Sequence, residues 1–364
     1  TSKYSFNHRV NVYNDSYNIN SEKLDYYSDT ENTYFFGPTV ISGSDYTIFC
    51  EKGFYNTKNK NGYFVKKSKI IYDNRIIKGD SLIFDDKKQY ASGSKNVSIN
   101  DTINKTIIKG EFGELFKASD SALITKNPYA IKIFERDSLF IKADSLFAVG
   151  PENNRIVKGR FNVKFIKSNM SGKSDQFIMN QNNGLIRLLR NDLSKKEEQI
   201  LTSKEISKKN PIIWNGNSQM TGDEIQFIRN IKTNELDSLK ILNNAFVIEK
   251  DSLGTDSFNQ MKGIDLFGKF EENELKKLNL VRNTEMLYYL YDEETNELIG
   301  IDKAICSSIE MIIVENQIDE IIFYTNPEGK VYPEKELQIN EKILNGFNWR
   351  IIERIKNKAE ITRN

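Results

Sequence analysis

The sequence predicts an all-β protein built from antiparallel strands, and three observations support this prediction. Apolar and polar residues alternate in runs of about four to eight residues, which is the period of a strand with one buried face. The composition is 38% hydrophobic with 22 Phe and 17 Tyr, and aromatic residues suit half-buried strands. Asn, Asp, Gly and Lys interrupt the runs, as turns require. A curled or V-shaped meander fits this pattern.

The predicted strands are clearest where the alternation is strict, namely at residues 96–100, 130–134, 161–166 and 239–242. Helical periodicity is scarce. Residues 194–209 are charged with few apolar positions, which predicts an exposed loop or a short helix. Residues 341–358 fit neither pattern clearly.

Two short signatures recur along the chain. An apolar residue, a polar residue and glycine end at Gly79, Gly110, Gly159, Gly172, Gly222 and Gly263, and Asp-Ser-Leu begins at Asp80, Asp137, Asp144, Asp237 and Asp251. Glycine permits a bulge or tight corner, Asp and Ser cap the turn, and Leu would begin the next buried face. We therefore expect an array of similar β corners, with Gly79, Gly110, Gly222 and Gly263 as structural residues. The irregular spacing argues against a solenoid with a fixed repeat.

Length and charge exclude several classes of protein. The chain has 364 residues with 52 basic and 51 acidic side chains, so no excess positive charge favours nucleic acid. No apolar run is long enough for a transmembrane helix, and residues 1–6 do not resemble a signal peptide. Cys50 and Cys306 could form a disulfide, although separate buried thiols are the commoner arrangement.

The sequence offers little for catalysis. His8 is the only histidine, so a Ser-His-Asp or Cys-His arrangement and a histidine metal site are not expected. Acidic pairs occur at residues 85–86, 197–198, 271–272 and 292–294; a glycosidase could use two carboxylates, but these lie in polar, turn-like segments. No glycine-rich phosphate loop is present. We expect no enzyme activity, no cofactor and no metal.

Several motifs, in order, resemble one family. They are Pro211-Ile-Ile-Trp with Gln219-Met-Thr-Gly-Asp-Glu-Ile, Phe258-Asn-Gln-Met-Lys-Gly before Gly268-Lys-Phe, Asn283-Thr-Glu-Met-Leu-Tyr-Tyr, Gly300-Ile-Asp-Lys-Ala-Ile-Cys-Ser-Ser, Ile322-Phe-Tyr-Thr-Asn-Pro-Glu-Gly-Lys-Val-Tyr-Pro and Leu344-Asn-Gly-Phe-Asn-Trp-Arg. Upstream, residues 80–101 and 21–57 look like repeats of one unit. Together these segments resemble the OstA-like proteins of Bacteroidetes, relatives of the LptA periplasmic lipopolysaccharide-transport protein. Ile355 departs from the pattern, where proline would follow the arginine.

The resemblance implies a fold of stacked antiparallel β-jellyroll (β-taco) units, elongated and partly open. It implies a periplasmic carrier or bridge component that shields the acyl chains of lipid A during transport to the outer membrane. It also implies edge-strand partners among the other lipopolysaccharide-transport proteins, including the outer-membrane translocon. The implied organisation is an N-terminal extension at 1–20, OstA-like β-jellyroll regions at 21–150 and 151–333, and a C-terminal segment at 334–364.

If the interior binds lipid, we expect the apolar phase of the alternating runs to line it. The predicted lipid-binding residues are Val97, Ile99, Ile131, Ile133, Val163, Phe165, Phe177, Phe227, Leu278 and Leu280. Plain core packing is the alternative for each, because strand register decides which face is buried. Trp214 and Trp349 are expected to seal the ends of layers. Two other hypotheses remain open: a structural scaffold of an outer-membrane assembly complex that binds no lipid, and a carbohydrate-active β-helix enzyme.

Overall fold

The computed structural model describes residues 2–135, 137–151, 154–233 and 235–363. The chain is nearly all antiparallel β-structure, which confirms the predicted fold class. It divides into two compact units, Thr1–Gly159 with Ile361–Asn364, and Arg160–Glu360. The predicted limits of the two OstA-like regions stay a prediction.

The first unit contains fourteen strands among the described residues. They are β1 (Lys3–Asn14), β2 (Tyr17–Tyr27), β3 (Asn32–Phe35), β4 (Thr39–Ser42), β5 (Tyr46–Cys50), β6 (Lys52–Asn56), β7 (Asn61–Tyr72), β8 (Arg75–Asp85), β9 (Tyr90–Asp101), β10 (Thr106–Phe116), β11 (Ser121–Thr125), β12 (Tyr129–Ile133), β13 (Ser138–Lys142) and β14 (Ser145–Val149).

Long strands bend in the middle, so that one strand contributes to two sheet halves. In one half the strands pair in the order β2, β4, β5, β7, β8, β9, β10, β12, β13. In the other half the order is β2, β3, β6, β7, β8, β9, β10, β11, β14. Strand β1 pairs with β2 along its length. The first unit is therefore a folded antiparallel sheet whose two halves share their long strands.

The bends are made by two complementary devices. On alternate strands a pair of residues has positive φ, as at Lys66–Lys67 in β7 and Lys95–Asn96 in β9, and the ladder register shifts there. The neighbouring strand carries glycine at the same level, Gly79 in β8. A Cβ on Gly79 would lie 3.1 Å from Leu82 Cδ2. The predicted glycine corners therefore exist, but the left-handed backbone belongs to the Lys and Asn pairs, whereas glycine provides space.

The second unit contains fourteen more strands, the first of which crosses the boundary between the units. They are β15 (Ile156–Lys167), β16 (Met170–Asn180), β17 (Leu185–Leu189), β18 (Ile212–Asn215), β19 (Ser218–Thr221), β20 (Glu224–Arg229), β21 (Leu236–Leu242), β22 (Ala245–Lys250), β23 (Phe258–Gly263), β24 (Asp265–Glu271), β25 (Glu274–Tyr291), β26 (Leu298–Val314), β27 (Gln317–Tyr324) and β28 (Glu328–Tyr332).

The same two-halved arrangement recurs in the second unit. One half pairs β16, β18, β19, β22, β23, β25, β26 and β28 in that order, and the other pairs β16, β17, β20, β21, β24, β25, β26 and β27. Positive φ at Asn243–Asn244 and Arg282–Asn283 marks the corners. Gly222 and Gly263 stand at the matching level of the neighbouring strands, where a Cβ would collide with Ile241 and Leu280.

Helical structure is limited to short segments. The charged stretch at 194–209 forms α1 (Lys195–Ile200) and α2 (Ser203–Lys209), capped by Ser194 and Thr202. Near the end of the chain, 3-10 turns lie at Glu334–Glu336, Ile339–Lys342 and Ile351–Glu353, and α3 spans Ala359–Thr362. In the described part of the chain, no helix has the length and hydropathy needed to cross a bilayer.

Candidate functional site: the apolar inner faces

In the first unit the inner face is built from rows of residues, each strand giving one residue to a row. The isoleucine row runs across seven paired strands and consists of Ile19, Ile41, Ile48, Ile70, Ile77, Ile99 and Ile108. A second row on the other half consists of Leu24, Phe35, Gly53, Phe64, Leu82, Gly93, Gly113, Ile124 and Leu146. Apart from Leu146, the buried apolar side chains of both rows belong to one hydrophobic cluster, so the two rows face each other.

Inner rows of the second unit have a different composition. The methionine row consists of Gly172, Ile213, Met220, Val247, Met261, Met286, Ala304 and Gly329. The other half carries the leucine row, which consists of Phe177, Leu188, Ile225, Ile241, Leu266, Leu280, Ile309 and Phe323. Neither row contains an ionisable or hydrogen-bonding side chain. Methionine adapts its shape more readily than branched residues do.

Eight of the ten predicted lipid-binding residues are buried. Val97, Ile99, Val163, Phe165, Phe177, Phe227, Leu278 and Leu280 are 0–6% exposed. Four of them come together on one inner face: Phe177 and Leu280 belong to the leucine row, and Phe227 and Leu278 to the adjacent row that also contains Leu239 and Gly268. Phe165 lies against Gly172, where a Cβ would be 2.5 Å from its ring. Contact of these residues with lipid remains a prediction.

The predicted phase is wrong for β12. Ala130 pairs with Ile108 and Ile141 and is buried, so alternation turns its neighbour Ile131 to the other face, where it is half-buried. Ile133 lies on that same outer face and is 40% exposed. In the run from Ala130 to Phe134, both faces of the strand carry apolar residues. The small Ala130 lies on the inner face, and the two isoleucines lie on the outer face.

A polar row borders the methionine row. It consists of the paired residues Asn215, Ser218, Glu249 and Asn259. Glu249 is buried, and burial raises the pKa of its carboxyl although Asn259 and the Ile318 amide donate to it. These residues mark where the apolar inner face ends.

Asp251 follows at the end of β22 and organises the loop at 251–257. Burial by itself would raise the pKa of Asp251, but hydrogen bonds from Ser257 Oγ and Tyr291 Oη, both 2.5 Å, outweigh it and lower the pKa. The Ser257 bond closes the loop on itself, and the Tyr291 bond holds the loop to β25. Asp251 is thus a structural acceptor in the hairpin, which explains its burial without a catalytic role.

The outer face of one sheet half in the second unit is covered by the C-terminal strap, defined here as residues 334–355. Because side chains alternate along a strand, Phe246 and Ile248 point away from the methionine-row residue Val247. Leu337 and Leu344 of the strap pack against them in a hydrophobic cluster. Burial on both faces explains why β18 and the first five residues of β22 are buried throughout.

Both tryptophans belong to this outer side. The Trp349 ring lies 5.2 Å from the Phe258 ring and joins the cluster under the strap. Trp214 is 0% exposed and pairs with Gln219 on the same face, and Gln219 binds the strap backbone. The sequence did not reveal the outer cluster, because residues 341–358 show neither helical nor strand periodicity.

Groups capable of chemistry are scattered. No group of three or more His, Cys, Asp or Glu side chains that could hold a metal occurs in residues 2–135, 137–151, 154–233 and 235–363. Cys50 is buried and Cys306 half-buried, and both are free thiols. Burial raises the pKa of the Cys50 thiol to about 12, so this thiol is protonated and unreactive at neutral pH.

Comparisons with known proteins give likenesses among solved structures and none among sequences. No protein-family model and no curated protein matches the sequence. Among solved structures, the chain is similar to LptH of Pseudomonas aeruginosa, described as the LptA-homologous periplasmic component of the lipopolysaccharide transport device. The TM-score is 0.31 and the identity 13%, over 39% of this chain and 94% of LptH. A likeness at this level assigns neither a function nor a ligand to the chain.

Proposed function

We propose that the chain is a periplasmic lipopolysaccharide carrier or bridge component whose inner faces shield the acyl chains of lipid A. The observation that carries the proposal is the inner face of the second unit, where two rows of eight residues contain no polar side chain. Acyl chains lose about 0.8 kcal/mol per methylene when they leave such surroundings for water. A continuous apolar lining is what their transport requires.

The motifs that resemble OstA-like proteins support the same proposal. Pro211-Ile-Ile-Trp leads into β18, and Gln219-Met-Thr-Gly runs through β19 to the corner at Gly222. Ile213 and Met220 from these motifs are neighbours in the methionine row. The motifs therefore contribute residues to the inner face, whereas their Trp214 and Gln219 lie on the outer side.

Unpaired edges support a role in a larger assembly. Within the described residues, β1 pairs only with β2, and β27 and β28 pair only with β26. Tyr4 and Phe6 on β1 are 51% and 45% exposed. Such edges can add a strand from another protein; we propose that neighbouring lipopolysaccharide-transport proteins, including the outer-membrane translocon, dock there.

A second function, a structural scaffold without lipid, is favoured by the dense packing of the rows. Leu188, Ile225, Ile241, Leu266, Leu280 and Ile309 are all 0% exposed. A lipid would have to separate the two halves of the unit before it could reach them. The scaffold hypothesis predicts partner binding through the edges with no lipid bound.

The test is photo-crosslinking to lipopolysaccharide from probes at matched phenylalanines. A photoreactive phenylalanine analogue is introduced at Phe165 or Phe177 on the inner side, and at Phe267 as the control, since Phe267 is 40% exposed on the outer face of β24. The carrier function predicts crosslinks at Phe165 and Phe177 and none at Phe267. Native mass spectrometry of protein from the cell envelope checks for bound lipid. Lipid-free protein with a stable protein partner, and no crosslink at either inner site, supports the scaffold.

A further inference from the structure

A cavity of about 540 Å³ lies on the second unit, outside the inner faces. It is bounded by the turn between β15 and β16, the turn between β18 and β19, and the end of the C-terminal strap with the residue that follows it. Its polar lining residues include Asn169, Ser171, Asn217, Arg354 and Lys356. None of its lining residues is acidic, so its charge is positive.

Arg354 is the half-buried cation of this cavity. Its Nη1 donates to the carbonyl oxygen of Gly216 at 2.7 Å. Burial lowers the pKa of the guanidinium, which nevertheless stays charged at neutral pH. The nearby cations Arg350 and Lys173 both pair with Glu353, whereas Arg354 makes no ion pair with any carboxylate of the described residues.

Ser171 provides a second, independent observation. This residue lines the cavity and is 2% exposed, yet its Oγ has no hydrogen-bond partner in the structure. A buried hydroxyl without a partner has lost its hydrogen bonds to water and gained none in return, which is unfavourable. A ligand that accepts a hydrogen bond from this hydroxyl would remove that cost.

We propose that this cavity binds a phosphate group, as inorganic phosphate or as a phosphomonoester. Arg354 can donate two parallel hydrogen bonds to a phosphate, Lys356 adds charge at the cavity mouth, and Ser171 adds a neutral donor. The volume exceeds that of a bare phosphate and falls within the range of small-molecule sites. The phosphate site does not depend on the carrier function, since it lies outside the apolar inner faces.

The test is isothermal titration of the intact protein with inorganic phosphate in a phosphate-free buffer. Arg354→Gln should weaken binding at least about tenfold, because it removes charge-assisted hydrogen bonds. Ser171→Ala should weaken binding about threefold or more and leave the unliganded melting temperature unchanged or higher, because it removes an unpaired hydroxyl. Arg160→Gln, an exposed arginine away from the cavity, is the matched control and should bind as the wild type does.

Absence of phosphate binding to the wild-type protein overturns the proposal, as does equal weakening by Arg354→Gln and Arg160→Gln. Competition experiments then identify the source of the phosphate. Phosphorylated lipid A in detergent micelles that displaces inorganic phosphate, while dephosphorylated lipid A does not, assigns the site to a lipid headgroup. Displacement by neither lipid, with tight binding of inorganic phosphate, assigns it to a free phosphate and leaves the carrier function to the crosslinking test.

Discussion

Gln219 and Gln260 bind the C-terminal strap in the same way. Gln260 Nε2 donates to Lys342 O at 2.9 Å and its Oε1 accepts from Leu344 N at 2.8 Å. Gln219 Nε2 donates to Asn348 O at 2.8 Å and its Oε1 accepts from Arg350 N at 2.7 Å. Each side-chain amide thus spans two residues of strap backbone, as a neighbouring strand would, and both glutamines are 1% exposed. The strap is held by hydrogen bonds as well as by its apolar side chains.

Replacing Gln260 with leucine should therefore loosen the strap. Gln260→Leu keeps the side-chain size but leaves a buried backbone donor and acceptor unpaired, which should cost about 3 kcal/mol of unfolding free energy. Urea denaturation measures the loss, and tryptic cleavage at Lys342 should become faster. Gln317→Leu, at an exposed position in β27, is the control and should change the unfolding free energy and the rate of tryptic cleavage little. Similar stability for the two variants would show that the strap's amide contacts contribute nothing.

Glu353 should make stability depend on acidity. Hydrogen bonds from Arg350, with a further one from Lys173, hold its pKa at about 2, below the ordinary value of 4.5. Because the folded-state pKa is lowered, the stabilisation is present above about pH 4.5 and is lost as the pH falls toward 2. Glu353→Gln should cost roughly 1 kcal/mol at pH 7.

Measuring the unfolding free energy of both proteins between pH 7 and pH 2.5 checks this expectation. The difference between wild type and Glu353→Gln should shrink progressively below about pH 4.5. Glu294→Gln, at an exposed turn position, controls for the general effect of removing a carboxylate. A constant difference across the whole range would rule out the proposed ionic contribution.

Gly222 should resist even the smallest side chain. A Cβ there would lie 2.2 Å from Ile241 Cγ2, in the leucine row, so Gly222→Ala should destabilise the protein by about 1–3 kcal/mol through overpacking. At Gly37 the nearest atom would be Glu22 Cβ at 3.2 Å, a contact that a shift of a few tenths of an ångström relieves, so Gly37→Ala should cost much less. Chemical denaturation measures the unfolding free energy of the two variants, and equal losses would contradict a steric role for Gly222.

Leu280 and Ile133 should differ sharply on truncation. Leu280→Ala empties a 0% exposed position in the leucine row and should cost about 2–5 kcal/mol. Ile133→Ala removes atoms from the outer face and should cost less than about 1 kcal/mol. The shift of the urea midpoint measures the loss of stability in each variant, provided that the m-value is unchanged. A large loss at Ile133 would mean that β12 is shifted by one residue.

The strand alternation was readable from the sequence because one period dominates it. Residues 96–100 and 239–242 lie within β9 and β21 as predicted. Leu82, Leu146 and Leu239 of the Asp-Ser-Leu signature are buried in the core, whereas Leu139 is half-buried. The same signature fails at Asp251, since Leu253 is 52% exposed in a loop. Here the aspartate organises the loop instead of leading into a strand.

The outer cluster and the corner pairs were beyond the sequence for physical reasons. A strap held by side-chain amides needs no periodic pattern, so residues 334–355 gave no periodic signal, although the Leu344 motif lies within them. The corner pairs Lys66–Lys67 and Lys95–Asn96 were not predicted, because their left-handed backbone is required by the bend and not by their side chains. Around Ile133 both faces of the strand carry apolar residues, so the sequence did not show which face is buried. Only the pairing of Ala130 with Ile108 shows that Ala130 lies on the inner face.

Since each strand that pairs within a sheet half gives one residue to the inner row of that half, the length of a row is set by the number of strands that pair across it. A duplicated hairpin inserted between β8 and β9 would extend the isoleucine row by two positions and leave the existing neighbours in contact with equivalent side chains. Duplication of a gene segment could therefore lengthen the inner rows of such a chain without changing the packing between the two sheet halves.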